Sequence, residues 1–132
     1  MNAGAAARRW ASTWQRAWEA LEVGPIVALY ADAAVFSSAP FRTPYRGPAG
    51  VRAYVAAAFA EEAEVRCRFG EPLVEADGAA VEWWASLVEN GAEITLAGTS
   101  LLRFDAEGLV IEQRDTWNQA SCRKEPPDGW GR

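Results

Sequence analysis

The N-terminal part of the chain has the hydrophobic spacing of an amphipathic helix. The apolar positions that recur every three or four residues are Trp10, Trp14, Trp18 and Leu21. They share one helical face, and charged residues occupy the others. Gly24 and Pro25 predict the end of this helix. Pro25 also suits a first helical position, so a short second helix is expected over residues 26–30.

A stretch rich in turn residues, 31–47, separates these helices from a third. Its only apolar run, residues 34–36, predicts an edge strand. The third helix is predicted to begin near Pro48, because apolar residues follow it at helical spacing. These residues are Val51, Tyr54, Val55, Ala58 and Phe59.

From Glu64 onward the hydrophobic period changes to two, which predicts four strands. Hairpin signals separate them at Asp77-Gly78, Asn90-Gly91 and residues 105–108. Helices followed by consecutive hairpins predict an α+β fold. We therefore expect one domain over residues 1–132, with three N-terminal helices packed on a strongly curved antiparallel sheet.

Alternation along the strands predicts which side chains face the helices. The inward set is Val81, Trp83, Ala85 and Leu87 in the first long strand, Leu96, Gly98, Ser100, Leu102 and Phe104 in the next, and Leu109, Ile111, Gln113, Asp115 and Trp117 in the last. Asp115 is therefore predicted on an apolar face. Loss of solvation there would raise its pKa, which makes it a candidate general acid or base. Alternatively, Asp115 only accepts hydrogen bonds from tryptophan indoles or the backbone.

Composition narrows the function classes. The formal net charge of −5 argues against nucleic acid and anionic membranes as partners. The chain has no histidine, which excludes histidine-based nucleophilic catalysis and removes the commonest transition-metal ligand. Two distant cysteines, Cys67 and Cys122, favour reduced thiols in a cytoplasmic protein. We expect neither a metal nor a cofactor.

The outer face of the predicted sheet carries Trp84 and Val88. Large apolar groups on such a face often contact another subunit, so a homodimer through the sheet is expected. The alternative is an exposed Trp84 that Arg66 or Arg103 partly shields. In the C-terminal tail, Trp130 is expected to fold against the surface or, alternatively, to close a pocket mouth.

The order of these segments resembles the SnoaL-like branch of the nuclear-transport-factor-two-like superfamily. The resemblance covers about residues 8–118. Its carriers are the tryptophan-rich first helix, residues 26–36 (IVALYADAAVF), residues 44–47 (PYRG) with 50–54 (GVRAY), and residues 104–118 (FDAEGLVIEQRDTWN). The resemblance implies a cone-shaped barrel of helices against a bent sheet, with an apolar pocket at its wide end.

The resemblance also implies roles for single residues. Related isomerases carry an aspartate where this chain has Ser38, and they use a first-helix tyrosine that is missing here. Related epoxide hydrolases combine a last-strand aspartate, matched by Asp115, with an Arg-x-Asp pair that residues 81–87 lack. SnoaL-type polyketide cyclases use a last-strand aspartate, which Asp115 again matches, commonly together with histidines.

Three functions remain open on this basis. The first is an enzyme acting on a small apolar, cyclic molecule, with Asp115 exchanging a proton. The second is a non-catalytic ligand-binding domain, and the third is a structural or dimerisation domain. The predicted ligand-contacting residues are Trp14, Tyr30, Phe36, Tyr54, Trp83, Leu102, Gln113 and Trp117. Trp10 and Trp18 are assigned to the core, where most aromatic stripes of helices lie.

Overall fold

The computed structural model describes residues 1–132 and contains three helices and seven strands, which confirms the α+β class. The elements are α1 (Ala3–Ala20), α2 (Val23–Val27), β1 (Tyr30–Ser37), β2 (Tyr45–Arg46), α3 (Gly47–Ala60), β3 (Glu62–Phe69), β4 (Leu73–Glu75), β5 (Gly78–Glu89), β6 (Ala92–Phe104) and β7 (Val110–Ala120). None of the helices combines the length and the apolar character that crossing a membrane requires.

The strands form one sheet in the order β2-β1-β7-β6-β5-β3, and β4 also pairs with β5. The predicted hairpins join β4 to β5, β5 to β6 and β6 to β7 as antiparallel pairs, whereas β1 and β7 run parallel. Register shifts interrupt three of the pairs, and such bulges bend a sheet. The sheet is therefore curved. Its edge strands β2 and β3 do not pair with each other, so it does not close into the expected barrel.

Several predicted boundaries in the first half are wrong. Helix α1 ends at Ala20, where Leu21 adopts a left-handed conformation (φ 55°) and its amide caps the helix. Helix α2 spans Val23–Val27 instead of 26–30, so Tyr30 already belongs to β1. Strand β1 lies between β2 and β7 and is not an edge strand. Helix α3 follows β1 and β2, so only two helices precede the sheet.

One hydrophobic core of 27 buried residues joins the helices to the concave face of the sheet. Strand β5 alternates as predicted, with Val81, Trp83, Ala85 and Leu87 buried. Strand β7 alternates as predicted only from Gln113 onward. A bulge shifts the register between the Arg103 and Phe104 pairs, and Val110 is buried there in place of Leu109 and Ile111.

Two tryptophans on neighbouring strands face a glycine between them. Gly98 of β6 pairs with Trp83 of β5 on one side and with Trp117 of β7 on the other. A Cβ atom on Gly98 would lie 2.6 Å from Cβ of Trp117, well inside contact distance. Gly98 therefore provides the space in which Trp117 sits close to the sheet.

The C-terminal tail covers the part of the outer sheet face around Trp84. The indole of Trp84 donates to the carbonyl of Lys124 at 2.8 Å, and the Trp130 ring packs edge-on against it at 6.1 Å. The guanidinium of Arg68, not of Arg66 or Arg103, lies over Trp130. The prediction that Trp130 folds against the surface is confirmed. The homodimer was expected because Trp84 and Val88 lie on the outer face of the sheet. The tail of the same chain covers Trp84, so only Val88 still supports this expectation, and the homodimer stays a prediction.

The substitution Gly98→Ala tests the close approach of β6 and β7. We expect it to lower the free energy of unfolding by about 1–3 kcal/mol, because the added methyl group can only fit if backbone or Trp117 moves. Urea unfolding at pH 7 measures the change.

The matched control is Gly4→Ala, since a Cβ atom at Gly4 comes closest to the end of the flexible Arg8 side chain, at 3.2 Å. Gly4 lies in the first turn of α1, so this substitution should leave the stability unchanged or raise it slightly. Equal effects of the two substitutions would contradict the steric argument.

Candidate functional site

A cavity of about 460 Å³ lies between α1, α3 and the concave face of the sheet. It is lined by 22 residues, of which 14 are hydrophobic. The lining residues are Trp10, Trp14, Trp18, Phe36, Arg42, Tyr45, Tyr54, Val55, Ala57, Ala58, Phe59, Glu61, Glu62, Phe69, Trp83, Glu89, Leu96, Ser100, Gln113, Asp115, Trp117 and Gln119. Its volume lies within the range of roughly 300–1,000 Å³ that is usual for small-molecule pockets.

Most of the residues predicted to contact a ligand lie on this wall. They are Trp14, Phe36, Tyr54, Trp83, Gln113, Asp115 and Trp117. Tyr30 and Leu102 were also predicted to contact a ligand, but they do not line this cavity. Tyr30 is buried, with its hydroxyl turned to Gln113, and Leu102 is 2% exposed within the core. Trp10 and Trp18, assigned to the core, are buried and yet reach the cavity wall.

Asp115 is held at the centre of this wall by two hydrogen bonds. Ser100 lies directly opposite Asp115 in the register of β6 and β7, and its hydroxyl donates to Oδ1 at 2.6 Å. Gln113, two residues earlier on the same strand face, donates from Nε2 to the same oxygen at 3.0 Å. The other carboxylate oxygen, Oδ2, accepts no hydrogen bond from the protein. It is therefore the oxygen that a ligand can reach.

The Ser100 bond is fixed in direction by a tryptophan. The indole N–H of Trp83 donates to the Ser100 hydroxyl at 3.0 Å. An indole nitrogen can only donate, and a hydroxyl has one hydrogen. The Ser100 hydrogen is therefore available to Asp115, and the chain of donors runs from Trp83 through Ser100 to the carboxylate.

A second chain of donors reaches Asp115 from α1. The hydroxyl of Tyr30 and the indole of Trp10 both donate to Oε1 of Gln113, and the indole of Trp14 donates to the Tyr30 oxygen at 3.2 Å. Because two donors bind the oxygen Oε1, the orientation of the Gln113 amide is fixed, and its nitrogen points toward Asp115. Tryptophans of α1 thus help to position a carboxylate on the last strand.

Burial raises the pKa of Asp115 to about 7, while the bonds from Ser100 and Gln113 counteract part of this rise. The ordinary value of this group is 3.8. A carboxyl group with this pKa is present in both protonation states near neutral pH. It can therefore act as a general base or as a general acid.

Tyr54 of α3 supplies a hydroxyl on the same cavity wall. Burial raises its pKa to about 12, and the nearby charge of Asp115 adds to this rise. The hydroxyl therefore stays protonated at neutral pH, and it makes no hydrogen bond within the protein. It is free to donate to a ligand oxygen.

Two polar residues of the cavity were not singled out from the sequence. Arg42, in the loop after β1, places its guanidinium 5.6 Å from the centre of the Trp117 ring. Glu62, the first residue of β3, accepts a hydrogen bond from the Trp18 indole at 2.8 Å. Burial raises the pKa of Glu62 to about 7. No periodicity marked either residue, because one lies in a loop and the other at a junction between helix and strand.

Ser38, the position of the aspartate in related isomerases, is fully buried and does not line the cavity. Its carbonyl accepts the indole N–H of Trp117 at 2.7 Å. This residue fixes the orientation of Trp117. The structure places no group with acid–base chemistry at that position.

The two cysteines form no candidate site, and the structure contains no metal-ligating cluster. Cys67 is buried and Cys122 is exposed, and both are free thiols. Burial raises the pKa of the Cys67 thiol, whose sulfur lies 3.5 Å from the carbonyl of Gln15. No three Cys, Asp or Glu side chains come together as ligands of a metal ion.

The raised pKa of Asp115 predicts a pH-dependent stability. Because the folded state binds this proton more tightly than the unfolded state, the stabilisation is complete below pH 4 and is lost as the pH rises to about 7. The stability of wild type relative to Asp115→Asn should therefore fall over this window, by at most about 4 kcal/mol. Urea unfolding of both proteins between pH 4 and pH 8 measures it. A constant difference would show that the pKa of Asp115 is not raised.

The substitution Gln113→Leu tests the second donor chain. It should lower the free energy of unfolding by about 1–3 kcal/mol, because the Tyr30 hydroxyl and the Trp10 indole lose a buried acceptor. Gln119→Leu is the control, since Gln119 lies exposed on the same strand and its side chain makes no hydrogen bond. Similar urea midpoints for both variants would argue against the chain.

Two comparisons with solved structures show the same fold. A protein described as an epoxide hydrolase/cyclase-like enzyme, SalBIII, is 19% identical, with a TM-score of 0.72 over 84% of this chain and 89% of its own. Rv0760c from Mycobacterium tuberculosis is 17% identical, with a TM-score of 0.76 over 91% of this chain and 97% of its own. No functionally curated protein is detectably similar in sequence. Residues 8–113 match the sequence profile of the SnoaL-like domain, and the chain therefore belongs to the SnoaL-like family.

Proposed function

We propose that this protein binds a small, largely apolar, cyclic molecule in its central cavity and exchanges a proton with it through Asp115. The observation that carries the proposal is the state of this carboxylate. One oxygen is held by Ser100 and Gln113, the other is free on the cavity wall, and the pKa of the group is about 7. A general acid or base requires this combination of fixed orientation and a pKa near the working pH.

The apolar part of the wall supports a flat or cyclic ligand. Trp83 and Trp117 lie on either side of Gly98 on the sheet, and Trp14 approaches from α1. Their indole nitrogens are all engaged in hydrogen bonds within the protein. The ring faces and edges that remain offer apolar contact to a ligand.

The polar groups suggest a division of roles. Asp115 takes a proton from an acidic C–H or O–H group of the ligand, or returns it. The Tyr54 hydroxyl donates to the ligand oxygen on which negative charge develops. SalBIII, which has a role in pyran ring formation, shares the fold. This likeness favours a reaction of the cyclase or hydrolase type for the present chain.

The alternative is a non-catalytic ligand-binding domain, or a structural domain that dimerises. It is favoured by the fact that both donors to Asp115 come from the protein itself, so the carboxylate is stable without a ligand. We also propose a homodimer through the sheet, a cone-shaped arrangement of the helices against the sheet and a cytoplasmic location.

The test is a thermal-shift screen of wild type and Asp115→Asn against steroids, terpene epoxides and aromatic polyketides. We expect one class to stabilise both proteins and to be converted only by wild type. Loss of the proton-exchanging group should reduce turnover by about 10²–10⁴-fold. Product formation is followed by chromatography.

Asp128→Asn, at an exposed position of the tail, is the matched control and should behave as wild type. A compound that binds wild type and Asp115→Asn equally and is converted by neither would favour the non-catalytic domain. If no compound shifts the melting temperature of any protein, while Asp115→Asn melts far below wild type, the structural alternative is favoured.

A further inference from the structure

Glu62 is a second carboxylate on the wall of the same cavity. It is the first residue of β3, separated from the end of α3 by Glu61 alone, and is partly buried. Its Oε1 accepts the indole N–H of Trp18 at 2.8 Å. No lysine or arginine forms an ion pair with it. Its second oxygen, Oε2, is not engaged by the protein.

Two tryptophans connect the environments of Glu62 and Asp115. The rings of Trp18 and Trp83 pack edge to face, with centroids 6.0 Å apart. The Trp18 indole donates to Glu62, whereas the Trp83 indole donates through Ser100 to Asp115. The two rings therefore form a wall, called here the Trp18–Trp83 wall, with a hydrogen-bonded carboxylate at each end.

The groups around Glu62 favour its protonated form. Glu89 lies directly opposite it in the register of β3 and β5, and Glu61 precedes it in the chain. Like charges in directly opposed positions repel. Tyr54 of α3 and Cys67 of β3 also face it, and neither carries a positive charge. Glu62 is thus a group that can hold a proton near neutral pH.

We propose that Glu62 is a second ligand-contacting acid–base residue, and that the ligand lies along the Trp18–Trp83 wall with one oxygen function at Asp115 and another at Glu62. This inference rests on the proposed function of the cavity. It specifies the ligand class as a rigid, largely apolar ring system with a hydroxyl or carbonyl group at each end.

The two carboxyl groups together can move a proton from one end of the ligand to the other, one as base and one as acid. The Asp115 carboxylate takes a proton as a C–H or O–H bond of the ligand breaks. The electron pair of that bond shifts through the conjugated ring system to a carbonyl oxygen at the other end, and the protonated Glu62 gives this oxygen a proton as its O–H bond forms. The ligand neither gains nor loses protons overall. Both side chains are partly exposed, so each returns to its starting state by exchange with water.

Three probes that differ only in their polar ends test this arrangement: biphenyl, 4-hydroxybiphenyl and 4,4′-dihydroxybiphenyl. Wild type should bind the dihydroxy compound about tenfold more tightly than the monohydroxy compound, because the second hydroxyl meets a carboxyl group. The substitution Glu62→Ala should abolish this tenfold gain and leave the binding of 4-hydroxybiphenyl nearly unchanged. Titration calorimetry measures the affinities.

Two further variants make the result specific. Glu62→Gln preserves the acceptor for Trp18, so it guards against a folding defect, and it should remove any change in the gain between pH 6 and pH 8. Glu93→Gln, exposed at the start of β6, is the matched control and should keep both the gain and its pH dependence. A gain that survives in Glu62→Ala, or a pH dependence of the gain that survives in Glu62→Gln, would overturn the inference.

The indole resonances of Trp18 and Trp83 separate this inference from the proposed function. Shifts of both resonances on addition of 4,4′-dihydroxybiphenyl support a ligand that spans the wall. A shift of the Trp83 resonance alone would overturn the role of Glu62 and leave the role of Asp115 intact. If no probe binds and neither resonance moves, the inferred ligand class is rejected, whereas the proposed function is rejected only if the screen of steroids, terpene epoxides and aromatic polyketides also fails.

Discussion

The hydrogen bond from Ser100 to Asp115 is the interaction on which the site depends. It crosses from β6 to β7 and holds one carboxylate oxygen on the concave face of the sheet. The Trp83 indole fixes its direction, and Gln113 supplies a second donor to the same oxygen. The site is thus a carboxyl group whose two oxygens differ, one engaged by the protein and one open to the cavity. Burial alone would leave such a group protonated and unoriented.

The alternation of apolar residues along the strands and the residue types of the turns predicted most of the sheet correctly. The Asn90-Gly91 turn needs two residues with positive φ, and the structure has them at 49° and 82°. Alternation placed Asp115 on the cavity side because no irregularity interrupts β7 after Gln113. It failed at Val110, where a bulge inserts an extra residue and reverses the faces. A bulge depends on how two strands pair and leaves no mark in a single strand's pattern.

The rest of the site arises from contacts between distant parts of the chain. Glu62 is held in place by a hydrogen bond from the indole of Trp18, which lies 44 residues earlier in the chain. The two residues meet only because α1 packs on β3. Tyr30 was expected at the cavity but is buried behind its wall, because α2 already ends at Val27 and Tyr30 begins β1. Leu21 ends α1 in a conformation that favours glycine, so no residue signal marked that boundary. The docking of helices on the sheet, rather than any local pattern, decides which tryptophans face the cavity.

The extent of β7 bears on where this folded unit ends. The family match stops at residue 113, yet β7 continues to Ala120, and the amide of Glu71 donates to the carbonyl of Gly131 at 2.7 Å. A boundary drawn at the end of the match would remove Asp115 and leave Ser100 without its acceptor. It would also remove the tail residues Lys124 and Trp130, which pack against Trp84 on the outer face of the sheet. A comparison with related chains therefore has to follow β7 beyond residue 113 to see which residue stands at the position of Asp115.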